Sequence, residues 1–413
     1  MKDFIKKEIV LIIALSLAIF SAFFVTPSKK YFGYIDFETL CLLFSLMAIM
    51  AGYKKIGLFS KIANFLLKKT NSILGILCVL IFLPFFLSML ITNDVALITF
   101  VPFALIVLTM PQKQNLKSLI VPCVVLQTIA ANLGSMLLPM GNPQNLYLYS
   151  KSGISLARFI LIMLPYTIFS FLLIFVFILL VEKWHKKSGC DAGDCGTNEN
   201  ETSQNFQIEK SGTNAGVFEK IENVKTAENH PKLSKCEKNK KLSLILFSFL
   251  FLLAFFAIGK VLNQYILALI VLIFFIFYDF SILKNVDYSL LLTFVGFFIF
   301  IGNMGNIDFF NNFLQKIILN HETLVSVFLS QIISNVPAAL LLSGFTNNFE
   351  SLIIGTNLGG LGSLIASMAS LISFKQIAST VPLQKTKYFL LFTILNIVFL
   401  IFLLIEWLII RAV

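Results

Sequence analysis

The most informative stretch of the sequence covers residues 132–145 and reads NLGSMLLPMGNPQN, in the middle of a long apolar segment. It contains two prolines, two glycines and three asparagines. A proline removes a backbone donor and a glycine permits a turn, so these residues are unexpected in a continuous helix that faces lipid. The freed backbone groups need a partner, which at this depth is a cavity, an ion or another helix. We therefore predict a broken membrane crossing over 118–149, with a kink satisfied by neighbouring helices as the structural alternative.

The composition around this stretch indicates a membrane protein. Of the 413 residues, 58% are hydrophobic and 13% are charged, and the mean hydropathy is +0.89. A soluble domain has roughly twice that charged fraction, and the apolar residues here come in runs of about 20, the length of a membrane-spanning helix. The 32 basic residues outnumber the 21 acidic ones, but the lysines lie between the apolar runs. This pattern indicates orientation by positive-inside loops, so the expected partner is the lipid bilayer and no nucleic acid.

Eight further segments are predicted to cross the membrane as helices, which makes the chain an all-α polytopic membrane protein. The crossing at 351–375 is also predicted to be broken, because Asn357, Gly359 and Ser363 interrupt its apolar character. Close helix packing is the alternative explanation for the small residues there. The crossings cover residues 8–26, 37–53, 118–149, 157–181, 242–259, 262–282, 288–304, 351–375 and 388–410.

Two other apolar segments are predicted to be re-entrant helical hairpins. Residues 71–110 form an apolar segment that Thr92-Asn93-Asp94 interrupts, with lysines on both sides. Lysines at both ends place both ends on one face of the membrane. Two full crossings of about 20 residues each would also return to that face, but the polar tip favours the hairpin. Residues 323–345 repeat the arrangement around Ser334-Asn335-Val336-Pro337, with about eleven residues on each side, too few to span the membrane.

Residues 182–241 separate two membrane halves, 1–181 and 242–413. The separating stretch holds 11 Lys and 10 Asp or Glu in 60 residues, so it cannot bury a core and is expected to be a disordered linker. The lysine positions predict that the N-terminus and this linker are cytoplasmic and that the C-terminus lies outside, in the inner membrane.

The two halves are predicted to be inverted structural repeats. Three sequence landmarks recur in the same order, and the predicted topology makes the two hairpins enter from opposite faces. Inverted repeats with broken helices that meet near the midplane are the architecture of secondary transporters. The paired landmarks are residues 35–37 with 286–288, 92–93 with 334–335, and 131–135 with 356–360.

Asp94 is the most informative single residue. Among the acidic residues outside the linker, it alone lies deep within a long apolar run. A bare carboxylate in lipid costs at least a few kcal/mol. We therefore expect Asp94 to face a wet cavity and to bind a cation or a proton. A helix cap at the start of the second hairpin arm is the alternative, and the two roles are compatible.

With these motifs the chain resembles the citrate-transporter-like permeases of the ion-transporter superfamily, which groups divalent-anion/sodium symporters with arsenite efflux permeases and sodium/proton antiporters. The motifs that carry the resemblance are residues 91–94, 132–145 and 334–337, and it spans the chain outside 182–241. The resemblance implies the site of the symporters, in which sodium ions and the substrate carboxylates are held by a Ser-Asn-Thr tip on each hairpin and by the two broken helices.

Two positions depart from the symporter pattern. Thr92-Asn93 and Ser334-Asn335 match the two Ser-Asn pairs, whereas Asp94 and Val336 replace the threonines. An acid at position 94 would repel a dicarboxylate unless a bound cation neutralises it. That acid, together with the GNPQN run at 141–145, looks closer to the arsenite and antiporter branches.

We predict a secondary active transporter that moves a small anion, either a di- or tricarboxylate or an inorganic oxyanion, coupled to Na⁺ or H⁺. Arsenite efflux and sodium/proton antiport are the alternatives, and the test between them and symport is Asp94: antiport requires that Asp94→Asn abolishes H⁺-linked cation movement, whereas symport does not require this. An ion channel is the alternative class, disfavoured by the hairpins and the inverted repeat. No enzyme is expected, because the sequence has no P-loop run and no histidine in a predicted span.

The predicted site for solute and ion combines polar residues and helix breaks from both halves. No cofactor is expected beyond the coupling ion, and a homodimer is left open. Asn93, Asp94 and Asn335 are the candidate Na⁺ ligands. The site residues are Thr92, Asn93, Asp94, Asn132, Gly134, Ser135, Asn142, Pro143, Asn145, Ser334, Asn335, Asn357, Gly359 and Ser363.

Overall fold

Helices account for the regular structure of the residues that the computed structural model describes, which are 8–70, 72–109, 116–191 and 239–412. The first half contains α1 (Ile9–Ala22), α2 (Lys30–Tyr34), α3 (Phe37–Lys55), α4 (Leu58–Leu67), α5 (Ile73–Leu87), α6 (Asn93–Thr109), α7 (Ile120–Gly134), α8 (Pro143–Ser152) and α9 (Leu156–Asp191). The second half contains α10 (Lys240–Ile258), α11 (Gln264–Leu283), α12 (Tyr288–Gly305), α13 (Asp308–Ile318), α14 (Glu322–Ile333), α15 (Asn335–Leu342), α16 (Phe349–Leu358), α17 (Met368–Thr380) and α18 (Lys385–Ala412).

Seven of these helices are long and apolar enough to cross a membrane, which confirms the prediction of an all-α polytopic membrane protein. Six of them match predicted crossings directly, and the seventh forms the first part of the broken crossing at 118–149. The spans are Phe37–Lys55, Leu116–Gly134, Leu156–Lys187, Lys240–Ile258, Gln264–Leu283, Tyr288–Gly305 and Pro382–Ala412.

Two predicted boundaries differ from the structure. The crossing predicted at 8–26 is a helix of only 14 residues, α1, which ends at Ala22. Pro27 disfavours helical backbone at the residue before it, so the helix cannot continue to 26. At the other end of the half, α9 extends ten residues into the predicted linker, supported by an ion pair of 2.8 Å between Lys186 and Glu182 one turn apart. The rest of the predicted linker, 192–238, lies outside the described residues.

The helical structure is interrupted at all four places where polar residues interrupt the apolar sequence pattern. In the two broken crossings, α7 and α8 are separated by residues 135–142, and α16 and α17 by residues 359–367. In the two hairpin segments, α5 and α6 are separated by residues 88–92, and α14 and α15 by Ser334, whose φ of +75° is unusual for a residue other than glycine. Whether these hairpins are re-entrant stays a prediction.

The two hairpin segments open toward opposite ends of α9. Ser118, shortly after the first hairpin, lies 3.0 Å from Nδ1 of His185 near the C-terminal end of α9. Glu350, shortly after the second hairpin, accepts two hydrogen bonds from Arg158 in the first turn of α9, at 2.7 and 2.8 Å. At 1.5 Å per residue, these two ends of α9 are about 40 Å apart. This is the arrangement that an inverted repeat requires, although the inversion itself stays a prediction.

Helices of the two halves pack against each other in two pairs. The helix α1 packs along α12, and α3 packs along α11. The sequence landmarks Asp36 and Asp287 have the same structural role, since each accepts a hydrogen bond of 3.0 Å from a backbone N three residues later, at the N-termini of α3 and α12. The paired aspartates therefore cap equivalent helices, as N-cap aspartates commonly do.

An ion pair between the halves joins α3 to α11. Lys55 donates to Asp279 at 2.6 Å, and the two side chains are 20% and 8% exposed. Asp279 also accepts from the hydroxyl of Ser281 at 2.8 Å. The backbone of Asp279 is extended, so α11 is kinked at this residue.

We expect Lys55→Met to destabilise the protein by about 2 kcal/mol, between the values for exposed and buried ion pairs, because Asp279 is left buried without its cation. The apparent Tm of the detergent-solubilised protein measures the loss. The double variant Lys55→Met/Asp279→Asn should recover part of it, since neither charge remains. A double variant less stable than Lys55→Met would contradict this account.

Candidate functional site

The tip of the first hairpin and both broken helices meet at one side chain. Asn93, the first residue of α6, donates a hydrogen bond of 2.9 Å to Oδ1 of Asn132 in the last turn of α7. The same oxygen accepts from the hydroxyl of Ser367 at 3.1 Å, and Nδ2 of Asn132 donates to Ser370 at 3.3 Å. Ser367 and Ser370 belong to the start of α17, so Asn132 connects the two halves of the chain.

A second connection between the halves joins α8, which follows the first break, to α16, which precedes the second break. Asn142 donates to the hydroxyl of Ser135 at 2.6 Å, across the break between α7 and α8. Asn145 donates to the carbonyl oxygen of Ser135 at 3.4 Å, and its own Oδ1 accepts from Asn357 at 2.7 Å. These side chains are all buried. We call the following set the amide network: Asn93, Asn132, Ser135, Asn142, Asn145, Asn357, Ser367 and Ser370.

The tip of the second hairpin reaches the same region through the backbone. The N–H of Asn335 donates to the carbonyl oxygen of Ala366 at 2.9 Å, and the hydroxyl of Ser334 donates to the same oxygen at 3.3 Å. Ala366 immediately precedes Ser367. Asn93 and Asn335 are therefore linked through Asn132 and the segment 366–367, which places both predicted tips at one buried polar centre.

Asp94 is the acidic residue nearest to the amide network in sequence and lies in the first turn of α6. Its backbone N donates to Oδ1 of Asn93 at 2.9 Å. Its carboxylate Oδ1 is buried and has no hydrogen-bond partner within the described part of the chain. The N-terminus of a helix favours a negative charge, but a buried carboxylate oxygen also needs a donor or a cation. The location is thus compatible with both the predicted cation site and the predicted helix start.

Two of the remaining predicted site residues are glycines that allow close packing at the broken helices. A Cβ on Gly134 would lie 2.0 Å from the carbonyl oxygen of Phe85, and a Cβ on Gly359 would lie 2.7 Å from the hydroxyl of Ser330. Both glycines therefore allow a broken helix to pack against a hairpin arm, which is the packing explanation considered for the second crossing. The others are Pro143, the first residue of α8, Thr92, which is half-buried, and Ser363, which contacts the second hairpin.

Sequence reasoning did not assign three glutamines to the site: Gln127 and Gln144, which are buried, and Gln331, which is half-buried. Gln127 donates to the carbonyl oxygens of Leu80 at 2.8 Å and Phe100 at 3.2 Å, which joins α7 to both arms of the first hairpin. Gln331 contacts the break between α16 and α17. Both polar side-chain atoms of Gln144 are buried without a partner among the described residues. A glutamine in an apolar span is a usable signal, because a buried amide must find partners.

We expect Asn357→Ala to reduce solute transport about tenfold or more. The change removes the donor to Asn145 and leaves a buried acceptor unsatisfied, which costs about 1–3 kcal/mol. Initial uptake rates in proteoliposomes measure the effect. The matched control is Asn396→Ala, because Asn396 is also fully buried but donates only within its own helix, α18. Equal losses in the two variants would show that general destabilisation, and not the amide network, is responsible.

Comparisons with known proteins place the chain among membrane transporters. A family model described as citrate transporter matches residues 4–349. An uncharacterized transporter of Methanocaldococcus jannaschii is 33% identical over 349 residues, which cover 84% of this chain and 82% of that protein. The inner membrane protein YbiR of Escherichia coli is 25% identical over 372 residues, covering 89% and 86%. The silicon efflux transporter LSI3 of Oryza sativa is 25% identical over 408 residues, covering 86% and 82%.

The family match includes both hairpin segments and the first broken helix. It therefore confirms the resemblance that the motifs at residues 91–94, 132–145 and 334–337 predict. Because the match covers most of the sequence, the chain belongs to the citrate transporter family and is a membrane transporter.

Proposed function

We propose that this transporter is a secondary carrier that moves a small anion, a di- or tricarboxylate or an inorganic oxyanion, in exchange for or together with Na⁺ or H⁺. The observation that carries the proposal is the meeting of the two broken helices through Asn132 and through the pair Asn145 and Asn357. Broken helices that meet between the halves of a carrier expose backbone and amide groups to a solute. A relative rocking of the halves would open this centre alternately to each side.

A coupling cation bound at Asp94 would neutralise the negative charge of an anionic solute. The site has carbonyl and amide oxygens for a cation, and amide and hydroxyl donors for the oxygens of an anion. Neither arginine of the chain is near: Arg158 pairs with Glu350, and Arg411 is at the end of the last helix. With neither arginine at the site, the coupled cation is the proposed counter-charge of an anion.

A second candidate is the efflux of an uncharged oxyacid. The amide network contains only amides and hydroxyls, which can bind the hydroxyl groups of such a solute without a counter-charge. A relative named as a silicon efflux transporter is similar over most of the chain. In this case Asp94 would carry the proton that enters as the solute leaves, and arsenite efflux or sodium/proton antiport would use the same carboxylate.

For the orientation, we propose the inner membrane, with the N-terminus and the linker in the cytoplasm and the C-terminus outside. The helix ends that hold Lys55 and His185 also carry Lys54, Lys183, Lys186 and Lys187, which supports a cytoplasmic location of these ends by the positive-inside rule. The opposite end holds Arg158, Glu350 and the end of α18.

The proposal is tested with purified protein in proteoliposomes. Citrate, succinate, sulfate, arsenite, silicic acid and Na⁺ are offered one at a time under imposed Na⁺ and H⁺ gradients. We expect one class of solute to accumulate against its gradient, with saturation and counterflow. Accumulation of a carboxylate or oxyanion supports the first candidate, and H⁺-driven movement of silicic acid or arsenite supports the second. Flux without saturation or counterflow would identify a channel and overturn the carrier proposal.

A further inference from the structure

The unwound segment of the second broken helix is held by one glutamine side chain. Gln331, near the end of α14, donates from Nε2 to the carbonyl oxygens of Gly359 at 3.0 Å and Leu361 at 2.9 Å. The same nitrogen lies 3.1 Å from the carbonyl oxygen of Val327 in its own helix. Oε1 of Gln331 accepts from the backbone N of Ser363 at 2.8 Å. One amide group thus satisfies both the acceptors and a donor that the break releases.

The Nε2 group of Gln331 occupies carbonyl oxygens that could otherwise be ligands of a cation. Unwound carbonyl oxygens at helix breaks are the groups that hold Na⁺ in carriers with discontinuous helices. Here the oxygens of Gly359 and Leu361 accept from the partially positive amide hydrogens of Gln331 instead. The backbone wraps closely around the amide, because Gly362 has a φ of +103° and a Cβ on it would lie 2.4 Å from Oε1 of Gln331.

The corresponding segment of the first half is built differently. Within the described residues, no glutamine side chain donates to a carbonyl oxygen of the segment 135–142; Asn145 donates to the carbonyl oxygen of Ser135, and Asn142 donates to its hydroxyl. The first hairpin instead brings Asp94, whose carboxylate Oδ1 is buried without a partner. The first half therefore holds, at its hairpin tip, a carboxylate oxygen without a partner among the described residues, and the second half holds an amide that already occupies the carbonyl oxygens of its break.

We infer, on the basis of the carrier function proposed above, that Gln331 substitutes for a cation in the second half, so that the transport cycle is coupled to cation binding in the first half alone. Gln331 is a positioning residue, since it acts through the backbone of residues 359–363. One cation per cycle is the consequence, and cation dependence should show a Hill coefficient of about 1.

The experiment measures the apparent Tm of purified protein while Na⁺ replaces choline at constant ionic strength. Asp94→Asn should remove stabilisation by Na⁺, because the carboxylate that is proposed to bind the cation is gone. The double variant Asp94→Asn/Gln331→Glu should be stabilised by Na⁺ again, because the new carboxylate and the two carbonyl oxygens together offer only oxygen ligands. At a Na⁺ concentration ten times its Kd, the expected rise in Tm is about 2 °C.

The matched control is Asp94→Asn/Gln315→Glu, which makes the same change at an exposed glutamine of α13 and should gain no Na⁺ response. If Gln331→Glu prevents folding, Gln331→Ser in the same background frees the same oxygens and carries the same expectation. The inference is overturned if Na⁺ still stabilises Asp94→Asn. It is also overturned if Na⁺ fails to stabilise the folded double variant, which is Asp94→Asn/Gln331→Glu or its Gln331→Ser replacement. Failure of the carrier proposal is separate, since it shows as absence of solute uptake by the unmodified protein.

Discussion

Asp94→Asn is expected to abolish cation-driven accumulation of the solute while solute exchange persists. The amide keeps the size of the side chain but cannot bind a proton or balance a cation, so the gradient loses its connection to the solute. The buried Oδ1 of Asp94 has no partner among the described residues, which leaves it free to take a cation. With one proton per solute, a gradient of one pH unit supports about tenfold accumulation, since a factor of ten corresponds to 1.4 kcal/mol. In the variant this ratio should fall to one.

The measurement compares gradient-driven uptake with counterflow in the same proteoliposomes. Asp308→Asn is the matched control, because Asp308 is an exposed carboxylate, also in the first turn of a helix. It should leave both activities unchanged. Asp94→Asn that still accumulates solute against its gradient would place the coupling site elsewhere. Loss of counterflow together with accumulation would mean that Asp94 is needed for the solute site itself and not only for coupling.

The sequence was sufficient to predict where the helices break. Proline, glycine and asparagine at 132–145 and the Thr92-Asn93-Asp94 interruption are local signals, because each removes or competes with helical backbone hydrogen bonds. The structure places a break at each of them. The equivalence of Asp36 and Asp287 was also readable, since both precede an apolar run and both cap a helix.

The hydrogen bonds between side chains of the two halves could not be predicted from the sequence. Asn357 contacts Asn145 over a separation of 212 residues, and Ser367 contacts Asn132 over 235 residues. No periodicity within either segment specifies such a pairing, because it depends on how the two halves dock. The role of Gln331 was missed for the same reason: its side chain serves carbonyl oxygens that another segment of the chain releases. Local patterns predict that freed groups exist, whereas tertiary packing decides what satisfies them.

Gly134→Ala is expected to cause the largest loss of folded, active protein among the glycine substitutions in the first broken helix. The added Cβ would lie 2.0 Å from the carbonyl oxygen of Phe85, which is backbone of α5 and cannot rotate away. Overpacking in a tight core costs typically about 1–3 kcal/mol, and more where the backbone must move. Here α7 has to separate from α5 by more than one ångström. We expect a lower Tm and uptake reduced by more than tenfold.

The matched control for this substitution is Gly305→Ala, at the end of α12, where an added Cβ has no atom within 4 Å. It should leave Tm unchanged or raise it slightly, because alanine restricts the unfolded chain. Gly134 is two residues from Asn132, so a shift of α7 also moves the side chain that connects Asn93 to Ser367. Uptake should therefore fall further than Tm alone explains. A Gly134→Ala protein with normal Tm and normal uptake would show that the close contact between α7 and α5 is not needed to hold the amide network.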